Sequence, residues 1–296
     1  MDRKNWIAVK VPYGGGYCSL NLAKLEGTKY APDALLKEFK RQGIFLADNG
    51  VSVDQLEWRE IDISLWPRND IMNWTKVDEI IYTESLNLYK KPDLKPLFLG
   101  GSHTISYSTI RALKATVGKE AVGLVVLDAH PDCCKKDDWP IHSDWLRCLI
   151  ENHYVLSENV LIIGLRQIEK SEKEFLDKFN IKHYRMSTVR DVESFVMNDI
   201  SVMRVLEKFR KLAAMYISID IDVASGAYAP GTGSPSPGGV TDKELISLAK
   251  QFKVALPNLK VADIVEINPL NWWRKRILRY DPTVDLGVKL IKEIIS

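Results

Sequence analysis

The stretch Val125-Val126-Leu127-Asp128-Ala129-His130-Pro131-Asp132 restricts the folds open to this chain more than any other. An apolar run suited to a buried parallel strand stops abruptly at three groups able to hold a cation. If the alternation of a strand carries on as it runs out, Asp128, His130 and Asp132 lean the same way. Tyr216-Ile217-Ser218-Ile219-Asp220-Ile221-Asp222 repeats the design, with Asp220 and Asp222 two apart. Carboxylates at the ends of two buried strands do nothing for packing. Four like charges converging on one rim repel and lose hydration unless cations sit among them. The two stretches together predict a paired-metal site.

The rest of the chain predicts where that site lies. Val9 to Tyr13 reads as a strand running into Gly14-Gly15-Gly16, and Ala31-Pro32-Asp33 opens a helix continued by Ala34 to Arg41. Residues 52–75 give strand-like pieces without a firm placement, and Val77 to Leu88 reads as an amphipathic helix. Lys95 to Leu99 is a short buried strand ended by Gly100-Gly101-Ser102-His103, followed by a helix from Ser106 to Val117. A strand over Val122–Asp128, another over Val160–Ile163, a helix near Lys170–Phe179 and a strand over Ile181–Tyr184 come next. Ser201 to Ala214 reads as helix and Met215–Ile221 as the second acidic strand. The Gly/Pro/Ser-rich run Ala229–Gly239 precedes the capping box Thr241-Asp242-Lys243-Glu244, so it fits a loop wrapped around a site better than a linker. Val261–Val265 is the last core strand, ending in Glu266-Ile267-Asn268-Pro269, and Asp281-Pro282 starts the final helix.

Strands alternating with helices imply a parallel sheet covered on both faces, which binds ligands at the carboxyl ends of its strands. His103, Asp128, His130, Asp132, Asp220, Asp222 and Glu266 all fall at such ends. No break in composition divides residues 1–296, which read as one domain. A formal charge of +2 gives no reason to expect nucleic acid or an anionic membrane as partner, and no apolar run is long enough for a bilayer. Cys18, Cys133, Cys134 and Cys148 form no CxxC pair, and with an N-terminus lacking a signal peptide's apolar core the expected setting is the reducing cytoplasm.

Gly100-Gly101-Ser102-His103, Asp128-Ala129-His130-Pro131-Asp132, Ser218-Ile219-Asp220-Ile221-Asp222 and Glu266-Ile267-Asn268-Pro269, with Ala229-Pro230-Gly231-Thr232-Gly233 after the third, resemble the ureohydrolases, the family of arginase and agmatinase. The resemblance implies a three-layer α/β/α fold with a mainly parallel central sheet and two Mn²⁺ ions. One ion would take His103, Asp128, Asp132 and Asp220, the other Asp128, His130, Asp220 and Asp222. Oxygen-rich sites with some imidazole suit Mn²⁺. A metal pair can lower the pKa of a shared water, and the hydroxide would attack a guanidinium carbon to give urea and an amine. His142 would act as general acid or proton shuttle, Asp132 would also orient the hydroxide, and Glu266 would pair with the guanidinium. The family's oligomers, trimers and hexamers, imply a homo-oligomer, and Trp272-Trp273-Arg274-Lys275-Arg276 fits a subunit contact.

Departures from the family pattern are Ser102 in place of Asp, Ser143 in place of Gly, and Ser225-Gly226 in place of Asp-Pro. None removes a ligand. The short span from Asp132 to His142 is like agmatinases and lacks the longer loop by which arginases hold the substrate carboxylate. Asp137 and Asp138 in that span would attract an amine, and Glu169 matches an acid that arginases use on the substrate's amino group. The expected substrate is therefore a guanidine with a cationic tail, agmatine first. Arginase, guanidinobutyrase and formimidoylglutamase activities share the same metal core, and a catalytically silent metal-binding or regulatory subunit is the reading from another class.

Overall fold

The computed structural model describes residues 5–16, 27–42, 56–63, 74–118, 122–135, 140–188, 192, 195–270 and 281–296. Its strands are β1 (Asn5–Val11), β2 (Glu57–Glu60), β3 (Leu94–Gly100), β4 (Val122–Leu127), β5 (Val160–Leu165), β6 (Lys182–Arg185), β7 (Ala214–Asp220) and β8 (Leu259–Val265). They form one sheet in the order β2-β1-β3-β8-β7-β4-β5-β6, and every pairing is parallel. The helices are α1 (Ala31–Arg41), α2 (Trp74–Tyr89), α3 (Ile105–Val117), α4 (Trp145–Glu151), α5 (Lys170–Lys178), α6 (Phe195–Asn198), α7 (Ile200–Phe209), α8 (Asp242–Ala255) and α9 (Pro282–Ile295).

Alternation along the central strands sorts the helices into two layers. Val125 and Leu127 of β4 belong to one buried cluster with Leu35 of α1, Leu206 of α7, Leu248 of α8 and Leu290 of α9. Leu124 and Val126 point the other way, into a cluster with Ile81 of α2, Ile110 of α3, Leu149 of α4 and Phe175 of α5. The fold is the expected α/β/α sandwich, and its central strands are apolar on both sides because both faces are covered. Each fully buried Leu or Ile contributes about 1.5–3 kcal/mol of transfer free energy, so a charge on these strands must be compensated locally. Asp263, wholly buried in β8, is compensated without a cation. Its carboxylate accepts from Ser106 Oγ (2.6 Å), Tyr216 OH (2.6 Å), Ser218 Oγ (2.7 Å) and the Ile219 N–H (3.3 Å).

Sheet order explains how distant residues meet. The four strands that end in the sequence motifs, β3, β8, β7 and β4, are consecutive neighbours at the centre of the sheet. At about 4.8 Å per strand, their carboxyl ends lie within one small patch.

Two helix ends illustrate local control. Asp281 caps α9 by accepting from Thr283 N and Val284 N, and Thr241 with Glu244 forms the expected capping box on α8. The helix expected over Ser201–Ala214 stops at Phe209 instead. The Asn258 side-chain amide donates to Phe209 O (2.9 Å) and Leu212 O (2.7 Å), satisfying the carbonyls that a further turn would have used. Ala214 is thereby released to start β7. The helix α4 was not legible in advance, and β2 supplies a definite strand within the ambiguous stretch before residue 75.

Candidate metal centre

The acidic motifs do not continue as strands. β4 ends at Leu127 and β7 at Asp220, and each chain then folds over the first aspartate. Asp128 Oδ1 accepts the His130 N–H (2.7 Å), and Asp220 Oδ1 accepts the Asp222 N–H (2.8 Å). Aspartates favour such two-residue turns. The convergence foreseen from strand alternation is thus achieved by a pair of matching turns. Asp132 completes the first turn in a left-handed conformation (φ 49°), and Glu266 adopts another (φ 64°) just beyond β8. Left-handed backbone costs a non-glycine residue about 1–2 kcal/mol, and such strain concentrates at functional sites.

The six expected ligands lie together. His103 Nδ1 is 3.3 Å from Asp128 Oδ2, 3.1 Å from Asp132 Oδ2 and 3.3 Å from Asp220 Oδ2. His130 Nδ1 is 3.0 Å from Asp222 Oδ2 and 3.6 Å from Asp128 Oδ1. Asp128 belongs to both groups. An octahedral ion with bonds of about 2.1 Å places neighbouring ligand atoms about 3 Å apart, which is the spacing around His103. His103 Nδ1 and Asp128 Oδ2 are also buried without a hydrogen-bond partner among the described residues. Unpartnered buried acceptors aimed at one point are what a cation would satisfy. The residues present therefore fit divalent metal.

Electrostatics agree. Burial opposes the charge on Asp128, but the His103 and His130 imidazoles outweigh it and hold the carboxyl at about 2. Burial, with Asp128 adding to it, pushes Asp132 up to about 7. Burial together with Asp222 and Asp128 raises Asp220 as well. Burial disfavours charge on both imidazoles, yet the carboxylates around them win and raise His103 and His130. Burial and like charge favour the protonated forms of Asp132 and Asp220, whereas the imidazoles favour the ionised form of Asp128.

Groups behind the six expected ligands fix their orientation. Ser218 Oγ donates its proton to Asp263, so it can only accept from His103 Nε2–H (2.8 Å). That assigns the Nε2 proton and turns Nδ1 to the carboxylates. Trp145 Nε1–H donates to Asp132 Oδ2 (2.7 Å), and Glu266 Oε1 accepts the His103 backbone N–H (2.7 Å). Sequence reasoning assigned no role to Trp145, Ser218 or Asp263. The signal for Asp263 was available, an acid inside the otherwise apolar run Val261–Val265.

A cavity of about 250 Å³ opens over the cluster, with His142, Glu169 and Glu266 also in its walls. His142 Nδ1–H donates to the carbonyl of Gly16 (3.1 Å), whose oxygen also accepts the His142 N–H (2.8 Å). Burial pushes His142 down to about 4, the Gly16 carbonyl opposes this, and the His103 and His130 imidazoles push it further down. Glu169 stands exposed at the start of α5. Thr232, Gly233 and Ser234 line the cavity too, so the Gly/Pro-rich run does wrap the site. Ser102, fully buried, pairs with Thr104 Oγ1 (2.8 Å) rather than with a ligand. Asp137, Asp138 and Trp272–Arg276 lie outside the described residues.

Comparison with known proteins follows the same lines. The chain is 28% identical over 249 residues to formimidoylglutamase of Bacillus subtilis, which covers 82% of this chain and 75% of that protein. The crystal structure of formimidoylglutamase from Bacillus subtilis superimposes with a TM-score of 0.83 at 24% identity, covering 100% of this chain and 87% of the other. Arginase 1 of Arabidopsis thaliana is 29% identical over 219 residues, covering 73% of this chain and 59% of that protein. The agmatine ureohydrolase of Thermoplasma volcanium superimposes with a TM-score of 0.75 at 22% identity, covering 99% of this chain and 89% of the other. The sequence model of the arginase family matches residues 11–296. The chain belongs to the arginase family of hydrolases.

Proposed function

We propose that this chain hydrolyses a guanidine with a cationic tail, agmatine first, to urea and an amine, using a pair of Mn²⁺ ions. The observation that carries the proposal is the pair of ligand groups sharing Asp128, with His103 Nδ1 and Asp128 Oδ2 buried and unpartnered. His103, Asp128, Asp132 and Asp220 would hold one ion; Asp128, His130, Asp220 and Asp222 the other. When bound, such a pair supplies a water of lowered pKa as nucleophile.

The protein's own groups do the rest. Glu266 pairs with the planar guanidinium, its carboxylate steadied by the His103 N–H. Water would add to the guanidinium carbon and give up a proton, the bond from that carbon to the tail nitrogen would break, and the amine would leave carrying the proton the water gave up. His142 moves that proton. Its Nδ1–H is committed to Gly16, so Nε2 takes a proton and delivers it to the leaving nitrogen. A value near 4 makes His142 neutral at rest, so it accepts before it donates. Of the two roles expected from the sequence, general acid or proton shuttle, this favours the shuttle.

The tail preference is supported by the cavity walls. Glu169 and Glu172 line the cavity, and no Lys or Arg does so among the described residues. Glu172 accepts the Glu169 N–H (2.9 Å) and the Cys133 N–H (3.2 Å), and Glu169, exposed in the cavity wall, is the acid assigned to an incoming amine. Asp137 and Asp138 would add to that negative field. Likeness to formimidoylglutamase favours a second reading, hydrolysis of an acidic amidine, whose carboxylates would need cationic partners.

A homo-oligomer, trimer or hexamer, belongs to the same proposal, as does a cytoplasmic setting, which suits the free thiols of Cys133, Cys134 and Cys148. No helix among the described residues is long and apolar enough to cross a membrane. The test is a product assay with Mn²⁺ on agmatine, arginine, guanidinobutyrate and formimidoylglutamate. Agmatine is expected to give the highest kcat/KM. A strong preference for arginine or formimidoylglutamate overturns the tail assignment, and bound manganese with no turnover of any substrate favours the silent-subunit reading.

A further inference from the structure

Trp145 opens α4 three residues after His142 and is fully buried. Its indole Nε1–H donates to Asp132 Oδ2 at 2.7 Å. Its ring also lies against the His103 imidazole, with centroids 4.5 Å apart and planes inclined by 37°. One side chain therefore touches two groups proposed to hold the same ion. An indole N–H donates and cannot accept or ligate. In a cluster otherwise rich in acceptors, it can occupy one carboxylate lone pair without competing for the metal.

Asp132 needs such a partner. It sits on left-handed backbone after the turn, outside any strand that would fix its direction. Trp145 reaches it from a helix, which is a rigid support. The same segment carries His142, so the residue that moves the proton and the residue that steadies a ligand are fastened to one turn.

We infer that Trp145 is a positioning residue for the His103-side ion, its N–H fixing the rotation of the Asp132 carboxylate and its ring fixing the plane of His103. This rests on the two-metal proposal. It adds a group that acts through the ligands and touches neither ion nor substrate.

Trp145→Phe keeps a flat ring beside His103 and removes only the donor. Calorimetric titration with Mn²⁺ should show two sites in the unaltered chain. In W145F one site should weaken about 10–100-fold, the usual effect of losing a group behind a ligand, while the other stays within about twofold. Activity of W145F should return as Mn²⁺ is raised, with KM for the guanidine little changed. Affinities at both sites unchanged from the unaltered chain overturn the inference, as does equal weakening of both. Failure of the unaltered chain to bind Mn²⁺ sinks the two-metal proposal itself.

A measurement on the unaltered chain covers the case in which W145F does not fold. Among the indole N–H resonances, one should be shifted downfield and protected from exchange by its carboxylate bond, and it should broaden when Mn²⁺ fills the His103-side site. No protected indole signal responding at that point also overturns the inference.

Discussion

Replacing His142 with Asn separates its charge from its hydrogen bond. Asn keeps an N–H donor for the Gly16 carbonyl and loses the ability to take a proton. The imidazole is pushed down to about 4 by burial and by the neighbouring imidazoles, against about 6.5 in an unfolded chain. As the pH falls, the unfolded chain binds the proton first, so acid favours unfolding. The stability at stake is about 3 kcal/mol, present above pH 6.5 and lost as the pH falls through 4, with about 2 kcal/mol gone by pH 5. That figure is an upper one, because the ring's outer edge meets solvent at the cavity. Urea unfolding of chelator-treated protein at pH 7, 6 and 5 measures it, and the difference between wild type and His142→Asn cancels the other titrating groups. The wild type should lose about 2 kcal/mol more than the variant between pH 7 and pH 5. Parallel curves would refute the buried, neutral imidazole and the shuttle built on it. With Mn²⁺ restored, the variant should keep its metal and lose about 10²–10⁴ in kcat.

Other perturbations test neighbouring parts of the account. Gly16→Ala forces an L-residue to φ 80° and puts a Cβ 2.4 Å from Thr104 Oγ1. It should cost about 1–2 kcal/mol in backbone strain alone, read from urea unfolding, and lower kcat more than it raises KM because the carbonyl on His142 moves. Ser218→Ala leaves the His103 Nε2–H without its acceptor. Mn²⁺ affinity should fall about 10–100-fold by calorimetry, and unchanged affinity would dismiss the relay from Asp263. Glu169→Gln should raise KM for agmatine several-fold in steady-state assays while leaving kcat near wild type.

Much of this was legible because the chemistry is concentrated at strand ends. Apolar runs such as Val122–Leu127 and Met215–Ile219 announce buried strands, and the acids that follow cannot be packing residues. The capping box at Thr241 and the Asp281-Pro282 start were readable for the same local reason. What could not be read was geometry set from a distance. The early end of α7 depends on Asn258, far along the chain. The turns at Asp128 and Asp220 look like continuing strands until the carboxylate is seen to bond two residues ahead. Trp145 touches His103 and Asp132, and Asp263 reaches His103 through Ser218, only because β4, β7 and β8 are neighbours and α4 covers one face. The low His142 value follows from enclosure, which sequence spacing does not convey.

The most direct test is to count and locate the metal. Dialysed protein loaded with Mn²⁺ should bind two ions per chain, and a crystal structure of that form should place them between His103 and His130, bridged by Asp128 and Asp220. A single ion, or ions bound elsewhere with the six side chains unengaged, would contradict the account.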